Sequence, residues 1–183
     1  MSPTSPALAA PEATEHAPYY SRYVEQVPQG DIRQVLEAQL ASVSSLLSSI
    51  PEERATHRYA PDKWTIRDVV GHLVDTERVF GFRALWFARG DRQPLPGFEQ
   101  EEWEPVAAPG LGPTPLADLV AEWTALRTSH LYMFRRLVDA DWLRAGEASG
   151  KQVSVRALAH IMAGHVEHHL KILKERYLSE TPS

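Results

Sequence analysis

The stretch "SVRALAHIMAGHVEHHLKILKERYL" (residues 154–178) decides the fold. Its apolar residues recur at helical spacing, and Ser154 stands where an N-cap belongs. A helix turns by about 100° per residue, so Leu158, Ile161, His169 and Ile172 all fall within about 40° of His165. The apolar stripe that should face a core therefore carries two imidazoles at its centre. His168 lies at the edge of the stripe, whereas His160 and Glu167 point away from it.

Three further segments keep the same period. Residues 31–50 place Ile32, Val35, Leu36, Leu40, Val43, Leu46 and Leu47 on one face, with Asp31 as N-cap and Pro51 after the end. Residues 64–90 open with Thr65 and Asp68 in a capping-box spacing and stop at Gly90. Residues 114–140 begin "TP", with Thr114 as cap and Pro115 at the first helical position. No strand pattern and no internal repeat stands out, and "GEASG" (146–150) reads as a linker. Four helices with short to medium connections predict an all-α, four-helix bundle over residues 28–183. Residues 1–27 are expected to be a disordered or extended N-terminal tail. The first 18 are rich in Ala, Pro, Ser and Thr, and "YYSRYVEQVPQG" (19–30) can pack as an extended arm. The Pro- and Gly-rich loop 91–113, with Phe98 and Trp103, reads either as a cover for a pocket or as a structural crossover.

Composition narrows the function. The chain of 183 residues is 43% hydrophobic and 23% charged, with net charge −5. Its basic residues are scattered, which argues against a nucleic-acid surface. There is no cysteine, so any metal must be held by imidazole, carboxylate or water. No window approaches the ~18 apolar residues of a membrane span. The N-terminus lacks the basic start of a secretory signal, so a cytoplasmic protein is expected.

The histidines are the chemical anomaly. Imidazoles at i and i+4 can each place a nitrogen on one cation; the alternative is a pair of core histidines satisfied by hydrogen bonds. His72 sits on the flank of the second helix's stripe, in line with Thr76 and Arg83. If that helix packs beside the last one, His72 supplies a third nitrogen; by itself it reads as a half-buried surface residue. Glu77 falls inside an apolar stripe and must be paired there, either with an arginine of a neighbouring helix or with a ligand imidazole. His16, His57 and His130 read as solvated. No nucleophile-elbow, P-loop or dinucleotide motif appears.

The segments "YAPDKWTIRDVVGHLVDTERVFGFRAL", "RGDRQPLPGFE" and "AGHVEHHLKIL", in this order, resemble the DinB-like superfamily, which includes the YfiT-like metal-dependent hydrolases. The resemblance spans about residues 28–178. It implies a four-helix bundle and a divalent metal, nickel or zinc, held by His72, His165 and His169. It also implies either hydrolysis or, as in some relatives, transfer to a low-molecular-weight bacterial thiol, and it leaves a homodimer open. Two non-catalytic roles remain: a small-ligand or metal sensor, and a stress-associated structural protein braced by its metal. Among the carboxylates, Glu77, Asp75 and Glu167 are candidates for a general base by type, and the last two project away from their stripes. A small-molecule substrate is expected rather than nucleic acid. A gel-shift titration with purified protein should show no salt-sensitive duplex binding.

Overall fold

A computed structural model describes residues 5–97 and 114–179. The loop residues Phe98 and Trp103 lie outside the described residues. Short helix α1 (Ser21–Val24) precedes the first long one, α2 (Ile32–Ser48), which Asp31 caps by accepting from the Arg33 amide. Helix α3 (Ile66–Ala88) starts in the capping box expected of Thr65 and Asp68. Helix α4 (Leu116–Phe134) is followed by short α5 (Asp139–Trp142), strands β1 (Ala145–Ala148) and β2 (Lys151–Ser154), and α6 (Val155–Ile172). A π-helical turn, Leu173–Tyr177, extends α6.

Helix α2 packs against α4 and α6, and α3 packs against the same two. The long helices therefore run α2–α4–α3–α6 around the bundle, and α2 and α3, consecutive in the chain, sit diagonally. The order follows from the buried faces. Leu73, Val74 and Phe80 on α3 share cores with Trp123 and Leu131 on α4 and with Leu158, Ile161 and Val166 on α6.

Two apolar clusters make up the core, and a polar layer crosses the bundle between them. One cluster holds Leu36, Phe80, Leu131, Phe134, Trp142 and Ile161; the other holds Val43, Leu73, Trp123, Val166 and Leu170. Between them Arg127 of α4 donates from Nε and Nη2 to Glu77 of α3, both bonds at 2.8 Å. Its Nη1 donates to Gln39 Oε1 of α2 at 3.0 Å. The Gln39 amide nitrogen in turn donates to the Ala163 carbonyl at 3.0 Å and to Glu167 at 2.7 Å on α6. One guanidinium, 0% exposed, thus ties all four long helices together.

Several expectations change. The third helix stops at Phe134 rather than near residue 140, because Asp141 accepts from the Val138 amide and starts a separate turn. Pro115 is extended and precedes the helix instead of opening it. "GEASG" belongs to a β-hairpin, with Ser149 and Gly150 at φ 55° and 69°. Positive φ at both central residues suits the right-handed twist of a two-residue hairpin turn.

The N-terminal stretch from residue 5 is arranged in short 3-10 turns at Pro6–Leu8, Ala13–Glu15 and Pro18–Tyr20. Ala7 and Leu8 are buried, and Glu15 accepts from Ser154 Oγ at 2.6 Å and from Arg156 Nε at 2.8 Å. Farther along, the Tyr23 backbone lies directly on Gly164 of α6, where a Cβ would collide with the Tyr23 carbonyl.

Arg127→Met should cost about 3–5 kcal/mol of stability, because it strands Glu77 as an uncompensated buried charge. The double variant Glu77→Leu/Arg127→Met should be the more stable of the two. Urea unfolding of both variants checks this, and equal or additive losses would contradict it.

Candidate metal centre

The α3–α6 contact brings the sequence-predicted histidines together. His72 of α3 and His165 and His169 of α6 each offer a ring nitrogen, and these atoms all lie within 4.8 Å of one another. His72 Nε2 and His165 Nε2 are 2.9 Å apart. Nitrogens bound to a single ion at ~2.0–2.1 Å lie roughly 3.0–3.4 Å apart, so the cluster fits one shared cation after small side-chain adjustments. All three donors are neutral nitrogen bases, and no carboxylate or thiolate joins them within the described residues.

Burial sets their protonation. It lowers the His72 pKa from 6.5 to about 4. For His169, burial and then the neighbouring His72 and His168 lower it to about 3. His165 is driven well below the ordinary value by burial first, then by His169 and His72. Neutral imidazoles keep the lone pairs that a metal needs.

No wall around the histidines was assigned from the sequence, although parts of it were signalled there. Trp64, just before the Thr65 cap, lies 4.9 Å from the His72 ring and stacks parallel to His169 at 6.5 Å between centroids. Tyr23 meets His165 edge-on at 5.3 Å, and Phe80 lies 6.1 Å from the same ring. Thr76 Oγ1 lies 3.5 Å from His165 Nδ1. Its position one turn after His72 was a usable signal, as was the tryptophan beside the cap. His168, at the edge as expected, is half-buried against Tyr23.

Other readings divide. Glu77 takes the structural ion-pair reading: burial raises its pKa, but Arg127 and then His130 outweigh this and bring it down to about 2. Its carboxylate is fully engaged and does not serve the imidazoles. Asp75 sits outward beside Arg78, and Glu167 accepts from Gln39. His57 is exposed as expected. Two histidines taken as solvated are not. His130 pairs with Glu77 at 2.9 Å, and His16 is buried, with its Nδ1 3.0 Å from the Ala17 carbonyl. Both partners are distant or backbone groups that helical spacing does not reveal. His160 points away from the metal cluster but is buried, its Nδ1 donating to the Arg156 carbonyl at 2.8 Å.

The fold and these side chains define a helical bundle with a three-imidazole candidate site for a divalent cation. The sequence model of the DinB superfamily matches residues 35–173, and the chain belongs to that superfamily. A Geobacillus kaustophilus protein named "putative metal-dependent hydrolase" is 26% identical over 155 residues, covering 79% of this chain and 83% of the relative. A Geobacillus thermodenitrificans protein of the same name is 26% identical over 138 residues, covering 75% of each. The structure of YfiT from Bacillus subtilis, titled a "probable metal-dependent hydrolase with an unusual four-helix bundle topology", superposes with a TM-score of 0.66 at 16% identity. That match covers 90% of this chain and 89% of YfiT, and at this identity it supports the fold alone.

The lowered pKa values have a definite sign. The unfolded chain takes up protons from pH ~6.5 downward, whereas the folded imidazoles resist until about 4 and about 3. Their stabilising contribution is complete above pH ~6.5 and declines as the pH falls toward 4. Chelator-treated protein should show urea midpoints that drop steadily from pH 7 to pH 4.5; a flat profile there would contradict the assignment.

Proposed function

We propose that the protein is a metal-dependent hydrolase in which His72, His165 and His169 hold one divalent cation, nickel or zinc. The observation that carries this reading is the convergence of three neutral ring nitrogens from two helices, with no anionic group in the cluster among the described residues. Family membership and the names of the Geobacillus relatives support the reaction class. The acidic net charge supports a small-molecule substrate over nucleic acid.

A divalent ion bound there supplies Lewis-acid activation of water or of a substrate carbonyl at neutral pH. The three donors found among the described residues are fewer than the four to six that such ions take, which supports further positions for exchangeable ligands. The remaining work falls to the chain. His165 and His169 sit one turn apart on a helix buried on both sides of the stripe, which limits their rotamers. Trp64, Tyr23 and Phe80 pack around the imidazoles, and the burial of these rings strengthens local electrostatics. None of the carboxylates considered as general bases is placed for that role: Glu77 and Glu167 are hydrogen-bonded elsewhere and Asp75 faces outward.

The decisive experiment is elemental analysis of protein purified without an affinity tag, followed by an ester, amide and thiol-conjugate screen with and without chelator. Near-stoichiometric nickel or zinc and chelator-sensitive hydrolysis are expected. Turnover of thiol conjugates alone would move the assignment to a thiol transferase. His165→Ala should empty the site while the far-UV circular dichroism stays helical; retained stoichiometric metal would remove His165 from the set.

A further inference from the structure

We infer that Thr76 is a positioning residue that fixes the tautomer of His165 and thereby presents Nε2 of that ring to the cation. The inference rests on the metal centre proposed above, but its first test needs no metal.

Thr76 lies on α3 one turn beyond His72, and it is 2% exposed. Its hydroxyl has a single proton to give. The His72 carbonyl, 2.7 Å away, is the nearest acceptor; the Leu73 carbonyl is at 3.3 Å. A hydroxyl that donates to a backbone carbonyl retains only acceptor capacity for other neighbours. Among the described residues, the remaining polar neighbour is His165 Nδ1 at 3.5 Å. A bare Nδ1 would face oxygen lone pairs there, whereas an Nδ1–H points at an acceptor. The contact is long for a hydrogen bond, yet in a buried site its sign still decides between tautomers. His165 therefore carries its proton on Nδ1, and its Nε2 is a bare lone pair.

That lone pair points into the cluster, because His165 Nε2 is the atom 2.9 Å from His72 Nε2. Two bare nitrogens at that distance would repel, so His72 donates from Nε2 in the metal-free protein. When a cation takes the shared position, the His72 proton must move to Nδ1, while His165 is already in its ligating form. The two histidines are thus unequal, one preset and one adjusting, and Thr76 makes the difference.

The bland alternative is that Thr76 merely back-bonds to the preceding turn, as buried helical threonines often do. The experiments separate the two. In chelator-treated protein with 15N-labelled histidine, long-range proton–nitrogen correlation should place the His165 proton on Nδ1 in the wild type. In Thr76→Val, which keeps the shape and removes the acceptor, the proton should redistribute to Nε2. Thr76→Ser should restore the wild-type pattern. In competition with a chromophoric chelator, Zn2+ and Ni2+ affinity should fall roughly 10- to 100-fold in Thr76→Val and stay near wild type in Thr76→Ser, the range seen when groups that orient a ligand histidine are removed. An Nε2–H tautomer in the wild type, or unchanged tautomer and affinity in Thr76→Val, would overturn the role of Thr76. A wild type that binds neither ion would overturn the metal centre, and the tautomer measurement would still decide the orientation of His165.

Discussion

The buried guanidinium of Arg127 is the constraint around which the bundle is organised. Moving an ion of this size out of water costs several kcal/mol even after relaxation, and only a partner with matching geometry offsets that cost. Glu77 provides it with two parallel hydrogen bonds, and Gln39 takes the remaining direction. Gln39 then spends both donors on α6. A one-turn slip of any long helix would leave at least one of these groups buried and unpaired. Apolar clusters on either side tolerate sliding, since Leu, Val and Phe contacts are not directional. The polar layer is not tolerant, and it sets the register of α3 against α6 on which the histidine cluster depends: Glu77 is five residues after His72, and Ala163 two before His165.

The same layer shapes the electrostatics of the site. Arg127 holds both Glu77 oxygens, so this carboxylate of α3 is not free to turn toward the imidazoles as a proton acceptor or as an anionic donor. The Arg127 charge also helps to keep His165 unprotonated, after burial and the neighbouring imidazoles. If the three uncharged donors found among the described residues held a divalent ion, they would leave its charge undiminished, which would favour polarisation of a ligand over tight structural coordination. The cost appears in the metal-free state, where neutral buried rings crowd together and His72 and His165 bring their Nε2 atoms to 2.9 Å. A centre of this kind is stable when filled and conditional when empty.

What the sequence disclosed follows from what periodicity can carry. Four amphipathic segments with caps at Asp31, Thr65 and Ser154 sufficed for the bundle, because helix faces and ends are local properties. The pairing of His165 with His169 was legible for the same reason, and His72 followed once family resemblance placed it beside them. Glu77 announced itself as a charge in an apolar stripe. Its partner did not: Arg127 lies fifty residues on in a helix with its own polar residues, and no local rule links the two. The hairpin escaped because its strands have four residues each and contain Gly, Ala and Lys rather than β-branched runs.

The N-terminal stretch was harder to read, although α6 itself held a clue to it. From Val155 to Val166 every residue except Arg156 is buried. A helix at the edge of a four-helix bundle should leave one face in water; one buried all round needs a cover. Many residues outside the histidine stripe are correspondingly small: Ala157 and Gly164 on one flank, Ala159 and Ala163 toward the far side. They let a backbone approach closely, as Tyr23 does at Gly164. His160 points out of the bundle as its helical angle requires, yet meets protein there rather than solvent, with Glu15 and His16 near enough to influence its charge. A tail of Ala, Pro and Ser has too little apolar area to fold alone, so its order must come from the groove that α6 offers. Tyr23 then reaches the edge of His165, and a segment without periodicity becomes part of the wall around the imidazoles.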